Sequence, residues 1–274
     1  MPEKRTLPIG LFDSGVGGLT VLRALMDRLP HENFRFLGDT ARLPYGTKGR
    51  DTIIRYTIKA ARKLIESGDI KMIVVACNTA TSAALPTLRE TFPGIRIEGV
   101  VDPGARAAVA ATENGRVAVL ATEATVRGGA YHRAITGLRP DTEVIGVPCT
   151  LFVTLAEEGW AEGEVAEAAA RRYVGDLFAG PGHPDTMLLG CTHFPLLRPA
   201  LRHVVGADVH IVDSAQTTAE AVDNYLSENG LRNPSIEPGT VRLMATDNRH
   251  RFARTGSLFL GRELAEEDVE LVDL

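Results

Sequence analysis

Two short segments pair a thiol with hydrogen-bonding neighbours in the same order: Cys77-Asn78-Thr79 and Cys191-Thr192-His193. Each follows a short apolar run, residues 72–76 and 186–189, and precedes an amphipathic stretch containing Pro, Leu and Arg. That pattern puts both cysteines at the carboxyl ends of strands and before helix N-termini, where ligands collect in α/β sheets. A helix N-terminus favours the thiolate, so both thiols are expected to be reactive. One such segment with its His would suit a cysteine hydrolase that uses Cys191 as nucleophile. Two matched segments suit another task. Acid–base groups flanking one carbon from opposite faces are what racemising an amino acid demands. Asn78, Thr79, Thr192 and His193 would offer donors to a carboxylate.

Asp13-Ser14-Gly15-Val16-Gly17-Gly18 also follows a strand and opens a helix. Its glycines would let backbone approach a small anionic group. Asp13 and Ser14 are expected to point into the crevice. The loop lacks the Gly-Lys-Ser/Thr of a Walker motif and the spacing of a dinucleotide fingerprint. Cys149 has no counterpart in the other half and is assigned a lining or buried role. Three cysteines without a C-x-x-C make neither a disulfide framework nor a zinc site.

The elements that must position these residues alternate. Strand-like runs at 8–12, 33–38, 72–76, 96–100, 117–121, 143–147, 186–189 and 209–212 are separated by helical patterns. The helices are expected at 18–27, 52–67, 81–90, 104–112, 129–137, 162–178, 196–204 and 215–228, with Asp51 and Thr81 or Ser82 as caps. The order predicts a parallel α/β fold. A weak internal repeat relates 72–89 to 187–202, and a second echo relates Leu11–Gly15 to Ile211–Ala215. Two lobes are therefore expected: residues 1–99 with 210–274, and residues 100–209. The tail from Asn233 carries one more strand, Val241–Ala245, and an acidic stretch read as solvated surface.

The chain has 274 residues, 24% charged and 44% apolar, with a formal net charge of -5. This balance is that of a globular protein. It argues against nucleic acid or an anionic membrane as the main partner. With no apolar run long enough to span a bilayer and no secretion signal, a cytoplasmic location is expected.

DSGVGGLTV (13–21), PYGTK (44–48), ACNTATSAAL (76–85), ATEATVRGGAY (121–131) and LGCTHFPLL (189–197) resemble the motifs of the glutamate racemases, in the aspartate/glutamate racemase superfamily. The match runs in order from about residue 8 to residue 222. The resemblance implies two pseudo-symmetric α/β lobes, each a mainly parallel sheet flanked by helices, with the site between them. It implies no pyridoxal phosphate and no metal. Glutamate would be the substrate, and D-glutamate would supply peptidoglycan synthesis. Cys77 would act on the D-enantiomer and Cys191 on the L-enantiomer, with Asp13 supporting Cys77 and His193 supporting Cys191. Glu157 matches a family acidic residue near the second thiol, with Glu158 beside it as the alternative.

Substrate contacts carry over to Asp13, Ser14, Tyr45, Gly46, Asn78, Thr79, Thr122, Thr125, Thr192 and His193. Asp102 stands where many members have Glu, and Thr150 and Thr154 stand where Pro is frequent. The expected partners are L- or D-glutamate and a second copy of the chain in a homodimer. The alternatives are a racemase of aspartate or another amino acid, a Cys191/His193 hydrolase that leaves Cys77 without a task, and a non-catalytic amino-acid binding module.

Overall fold

The computed structural model describes residues 4–274, so the first three residues of the expected first lobe lie outside it. The first half runs β1 (Ile9–Asp13), α1 (Leu19–Arg28), β2 (Phe34–Gly38), α2 (Arg50–Glu66), β3 (Met72–Val75), α3 (Asn78–Thr91), β4 (Arg96–Gly99) and α4 (Val101–Ala111). There follow β5 (Arg116–Ala121), α5 (Glu123–Gly128), α6 (Ala130–Leu138), β6 (Glu143–Pro148), α7 (Thr150–Glu157), α8 (Gly163–Val174) and β7 (Thr186–Gly190). The chain closes with α9 (Arg198–Val205), β8 (His210–Asp213), α10 (Ser214–Glu228), β9 (Val241–Ala245), α11 (Arg249–Leu260) and β10 (Val269–Leu271).

The strands form two parallel sheets, ordered β10-β9-β2-β1-β3-β4 and β6-β5-β7-β8. Every residue of β1, β3 and β7 is buried, as befits central parallel strands covered on both faces. Their apolar runs continue without polar alternation for that reason. The edge strand β6 is only partly covered and ends in Pro148. Among the described residues no helix is long and apolar enough to cross a membrane.

The run β2-β1-β3-β4 has the same order as β6-β5-β7-β8, so β3 corresponds to β7. That equivalence puts Cys77 and Cys191 at matching strand ends. It does not support the second sequence echo. Leu11–Asp13 ends the central strand β1, whereas Ile211–Asp213 lies on the edge strand β8. Asp213 caps α10 and pairs with Arg198 instead of entering the crevice.

Several expected boundaries shift. β8 pairs with β7, so residues 210–213, expected in the first lobe, belong to the second sheet. α3 begins at Asn78, not near 81, and its cap is Cys77, whose sulfur accepts from the Ala80 N–H at 3.4 Å. Asp51 lies inside the first turn of α2, one residue past Arg50, and makes no cap. Cys191 is followed by a 3₁₀ turn at Phe194–Leu197 before α9 starts, so of the two matched cysteines Cys77 alone stands directly at an α-helix N-terminus. Four elements were not expected at all: α5, α7, α11 and β10.

Candidate active site

β1, β3 and β7 deliver Ser14, Cys77 and Cys191 to one cavity of about 130 Å³ between the two sheets. That is well below the roughly 300–1,000 Å³ of drug-sized sites and suits a small metabolite. Tyr45, Gly46, Asn78, Thr79, Thr122, Thr192 and His193 also line it. Pro44, Thr47, Thr150, Val153 and Thr154 complete the wall. Thr150 and Thr154, one turn apart on α7, thus sit on the cavity itself.

Cys77 is 5% exposed and donates from Sγ to Ser14 Oγ at 3.4 Å. Burial first, then the Asp13 charge, pushes its thiol up to about 12, despite hydrogen bonds with Ser14 Oγ and the Ala80 N–H that pull the other way. The expected thiolate-favouring effect of the helix N-terminus is outweighed, because a few oriented dipoles do not repay removing the sulfur from water. Asp13 is itself buried. Its Oδ2 accepts from the Gly15 N–H at 2.9 Å, and its Oδ1 has no hydrogen-bond partner. Burial raises its carboxyl above the usual range, against His193 and three backbone N–H groups that lower it. Asp13 lies beneath the cavity wall.

Cys191 has different company. Its Sγ lies 3.8 Å from His193 Nδ1, and His193 Nε2 lies 3.1 Å from Glu157 Oε1. Burial alone would lower the imidazole, but the hydrogen bonds to Cys191 and Glu157 prevail and raise it to about 10. Burial raises the Glu157 carboxyl less than His193 and Arg251 lower it. Glu157, and not the exposed Glu158, therefore faces the imidazole. It stands behind His193, outside the cavity lining.

Hydroxyl groups cluster on the opposite wall. Thr79 Oγ1 shares hydrogen bonds with Thr122 Oγ1 at 3.0 Å and Thr125 Oγ1 at 3.2 Å. Thr122 caps α5 by accepting from the Thr125 N–H. Thr125 is 2% exposed and braces this cluster from behind. Tyr45 donates its hydroxyl to Asp39 Oδ2 at 2.7 Å, so its ring, more than its proton, is what it presents. Cys149 is fully buried in the apolar core beside α7 and does not line the cavity.

The loop glycines have a tighter role than the expected anion cradle. A Cβ at Gly17 would stand 2.5 Å from His193 Cε1 and would also strike Thr192 Oγ1. The two lobes meet there with room only for hydrogen.

Sequence reasoning missed Asp39, Tyr131 and Ser214. Asp39 is fully buried and also accepts from Arg42 and Thr246. It follows β2 directly, the same strand-end position that singled out Asp13. Tyr131 closes the ATEATVRGGAY segment, and its hydroxyl donates to Asn78 Oδ1 at 2.6 Å. Ser214 accepts from Asn78 Nδ2 at 3.4 Å. Among the described residues no group of three or more His, Cys, Asp or Glu side chains could hold a metal ion.

Two lobes of parallel strands that each bring a thiol to one small cavity match a known family. The chain belongs to the Asp/Glu/Hydantoin racemase family, whose model matches residues 20–222. It is 46% identical over 258 residues to a glutamate racemase of Geobacter metallireducens, covering 94% of each chain. It superposes on the crystal structure of glutamate racemase from Francisella tularensis in complex with D-glutamate with a TM-score of 0.89, at 34% identity over 98% of each chain. The glutamate racemase of Thermus thermophilus in complex with β-chloro-D-alanine gives a TM-score of 0.87, at 40% identity over 99% of each chain.

Proposed function

We propose that the chain is a glutamate racemase that interconverts L- and D-glutamate by moving the α-proton between Cys191 and Cys77. The observation that carries this is the placement of two thiols, at equivalent strand ends of two like lobes, on one small cavity. The relatives named above support glutamate as the substrate.

From L-glutamate, the Cys191 sulfur takes the α-proton as a thiolate, and the electron pair stays on the α-carbon. Cys77 delivers its own proton to the opposite face, which gives D-glutamate and leaves Cys77 as the thiolate. The reverse reaction exchanges the roles. Cys77 held up to about 12 suits a thiol that begins as the proton donor. His193, between Cys191 and Glu157, can take up and return the Cys191 proton. Asp13, with its raised carboxyl, is suited to the same service for Cys77. Ser14, Asn78, Thr79, Thr122, Thr192 and backbone N–H groups would receive the two carboxylates and the ammonium.

The product would feed peptidoglycan synthesis in the cytoplasm. The active form would be a homodimer, a reading supported by exposed apolar Leu151, Trp160 and Leu258. Sedimentation at micromolar concentration should report twice the chain mass.

The decisive experiment follows optical rotation and α-deuterium uptake in heavy water. It uses protein dialysed against chelator, with L- and D-glutamate, aspartate and alanine. Glutamate should racemise from both sides with solvent deuterium at Cα. Cys77→Ser and Cys191→Ser should each reduce this by more than about 10²-fold. Racemisation of aspartate alone would shift the substrate assignment. Hydrolysis without α-exchange would replace the racemase with a thiol hydrolase.

A further inference from the structure

Helix α11 packs on α1 and β10, within the lobe of the six-stranded sheet, yet two of its side chains touch the acid–base pair carried by the other lobe. Arg251 donates from Nη2 to Glu157 Oε2 at 3.1 Å, while Glu157 Oε1 is the oxygen at His193 Nε2. Two turns further along, the Phe259 ring meets the imidazole edge to face, with centroids 5.0 Å apart and an interplanar angle of 77°. The Glu157 carboxylate is thus held at both oxygens, one by each lobe.

We propose that Arg251 is a positioning residue for the Cys191 half of the reaction, acting across the lobe boundary through Glu157. The inference rests on the racemase function proposed above. A carboxylate bound at a single oxygen is free to rotate about its terminal bond, and the imidazole it orients turns with it. Binding the second oxygen removes that freedom. Arg251 is half-exposed, so as a bare ion pair it would contribute little to stability. Its partner, however, is the acceptor that fixes the ring beside the reacting sulfur.

Charge adds a second effect. The groups facing His193 are Cys191 and Thr192 on its own segment, Glu157 from α7, Asp13 from β1 and the uncharged Phe259 from α11. Arg251 neutralises part of the Glu157 charge. Without it, Glu157 would hold the imidazolium more firmly, and the proton would return to Cys191 more slowly.

The test uses β-chloroalanine, whose elimination needs only α-deprotonation, so each enantiomer reports on one thiol. Arg251→Gln should lower kcat for the L-form about tenfold with little change in KM, short of the ~10² lost when a reacting group is displaced by about 1 Å. Elimination from the D-form should stay within about twofold. Arg251→Lys, which keeps the cation, should recover most of the loss. The alkaline limb of the L-form pH profile should move upward in Arg251→Gln. The melting temperature should move by no more than about 2 °C. Equal losses on both enantiomers, or no loss on either, would overturn the proposal. If the unaltered protein does not racemise glutamate, the proposed function fails instead, which glutamate assays on the same preparation distinguish.

Discussion

Tyr131 of α6 donates its hydroxyl to Asn78 Oδ1 of α3 at 2.6 Å, and this buried bond joins the two lobes one residue from Cys77. Burial pushes the Tyr131 phenol well above its usual range, so it stays a donor. Asn78 is left with its Nδ2 toward Ser214 and its position on the cavity wall fixed. Tyr131→Phe should therefore cost about 1–3 kcal/mol of stability, the cost of leaving the Asn78 carbonyl buried and unpaired. Urea unfolding measures it. A change below 0.3 kcal/mol would mean that the amide finds another partner.

Gly17→Ala should be severe for activity and mild for the fold. The new methyl would displace Thr192 and His193, since both stand closer than any Cβ contact allows. Turnover should fall by about 10²-fold or more if the imidazole moves by about 1 Å. The far-UV circular dichroism should be unchanged. Retained turnover would show that the lobes separate enough to admit the methyl.

The three thiols should differ toward iodoacetamide. Cys77, held up to about 12, is almost entirely protonated at neutral pH, so it should label slowly. Cys191, on the same cavity with His193 Nδ1 3.8 Å from its sulfur, should label at least about tenfold faster. Cys149 is fully buried and should stay unlabelled until the chain unfolds. Mass spectrometry of the timed digests gives the order, and first labelling at Cys149 would contradict it. Glutamate should protect the other two.

Stability should fall with rising pH across the range where His193 titrates. The folded chain keeps the imidazole protonated to about 10, whereas the unfolded chain releases that proton near 6.5. Between those values the folded state binds more protons, so its advantage is full below 6.5 and lost as pH rises through about 10. Cys77 acts in the same direction, over the window from 9.0 to about 12. Urea midpoints measured from pH 6 to 10 should decline, and His193→Gln should flatten the slope. A rising midpoint would mean that His193 is neutral in the folded chain.

The matched cysteines were legible because a strand end followed by a helix is a local pattern, and two thiols repeated it. The six-plus-four division of the sheets was not, since β9 joins β2 only through pairings that span some 200 residues, and β10 enters the sheet by pairing with β9. α7 was invisible because eight residues rich in Leu, Phe, Val and Thr read equally well as a buried strand. With it went the cavity positions of Thr150, Val153 and Thr154. Cys77 as a helix cap escaped notice because capping preference favours Ser, Thr, Asp and Asn, and Thr81 stood nearby. Arg251 carries no local mark. Its meaning comes entirely from an α7 carboxylate 94 positions earlier.

The unlike surroundings of Cys77 and Cys191 meet a limit set by water, which has no handedness. Mirror-image amino acids have equal free energy in it. An enzyme that interconverts them must therefore leave equal amounts at equilibrium, and its kcat/KM must be the same from either side. An imidazole beside one sulfur and a buried carboxyl beside the other can only trade affinity against turnover between the two hands. A lower KM for one enantiomer is matched by a proportionally lower kcat for that same enantiomer. Under the proposed function, net flow toward one hand has to come from whatever consumes it downstream.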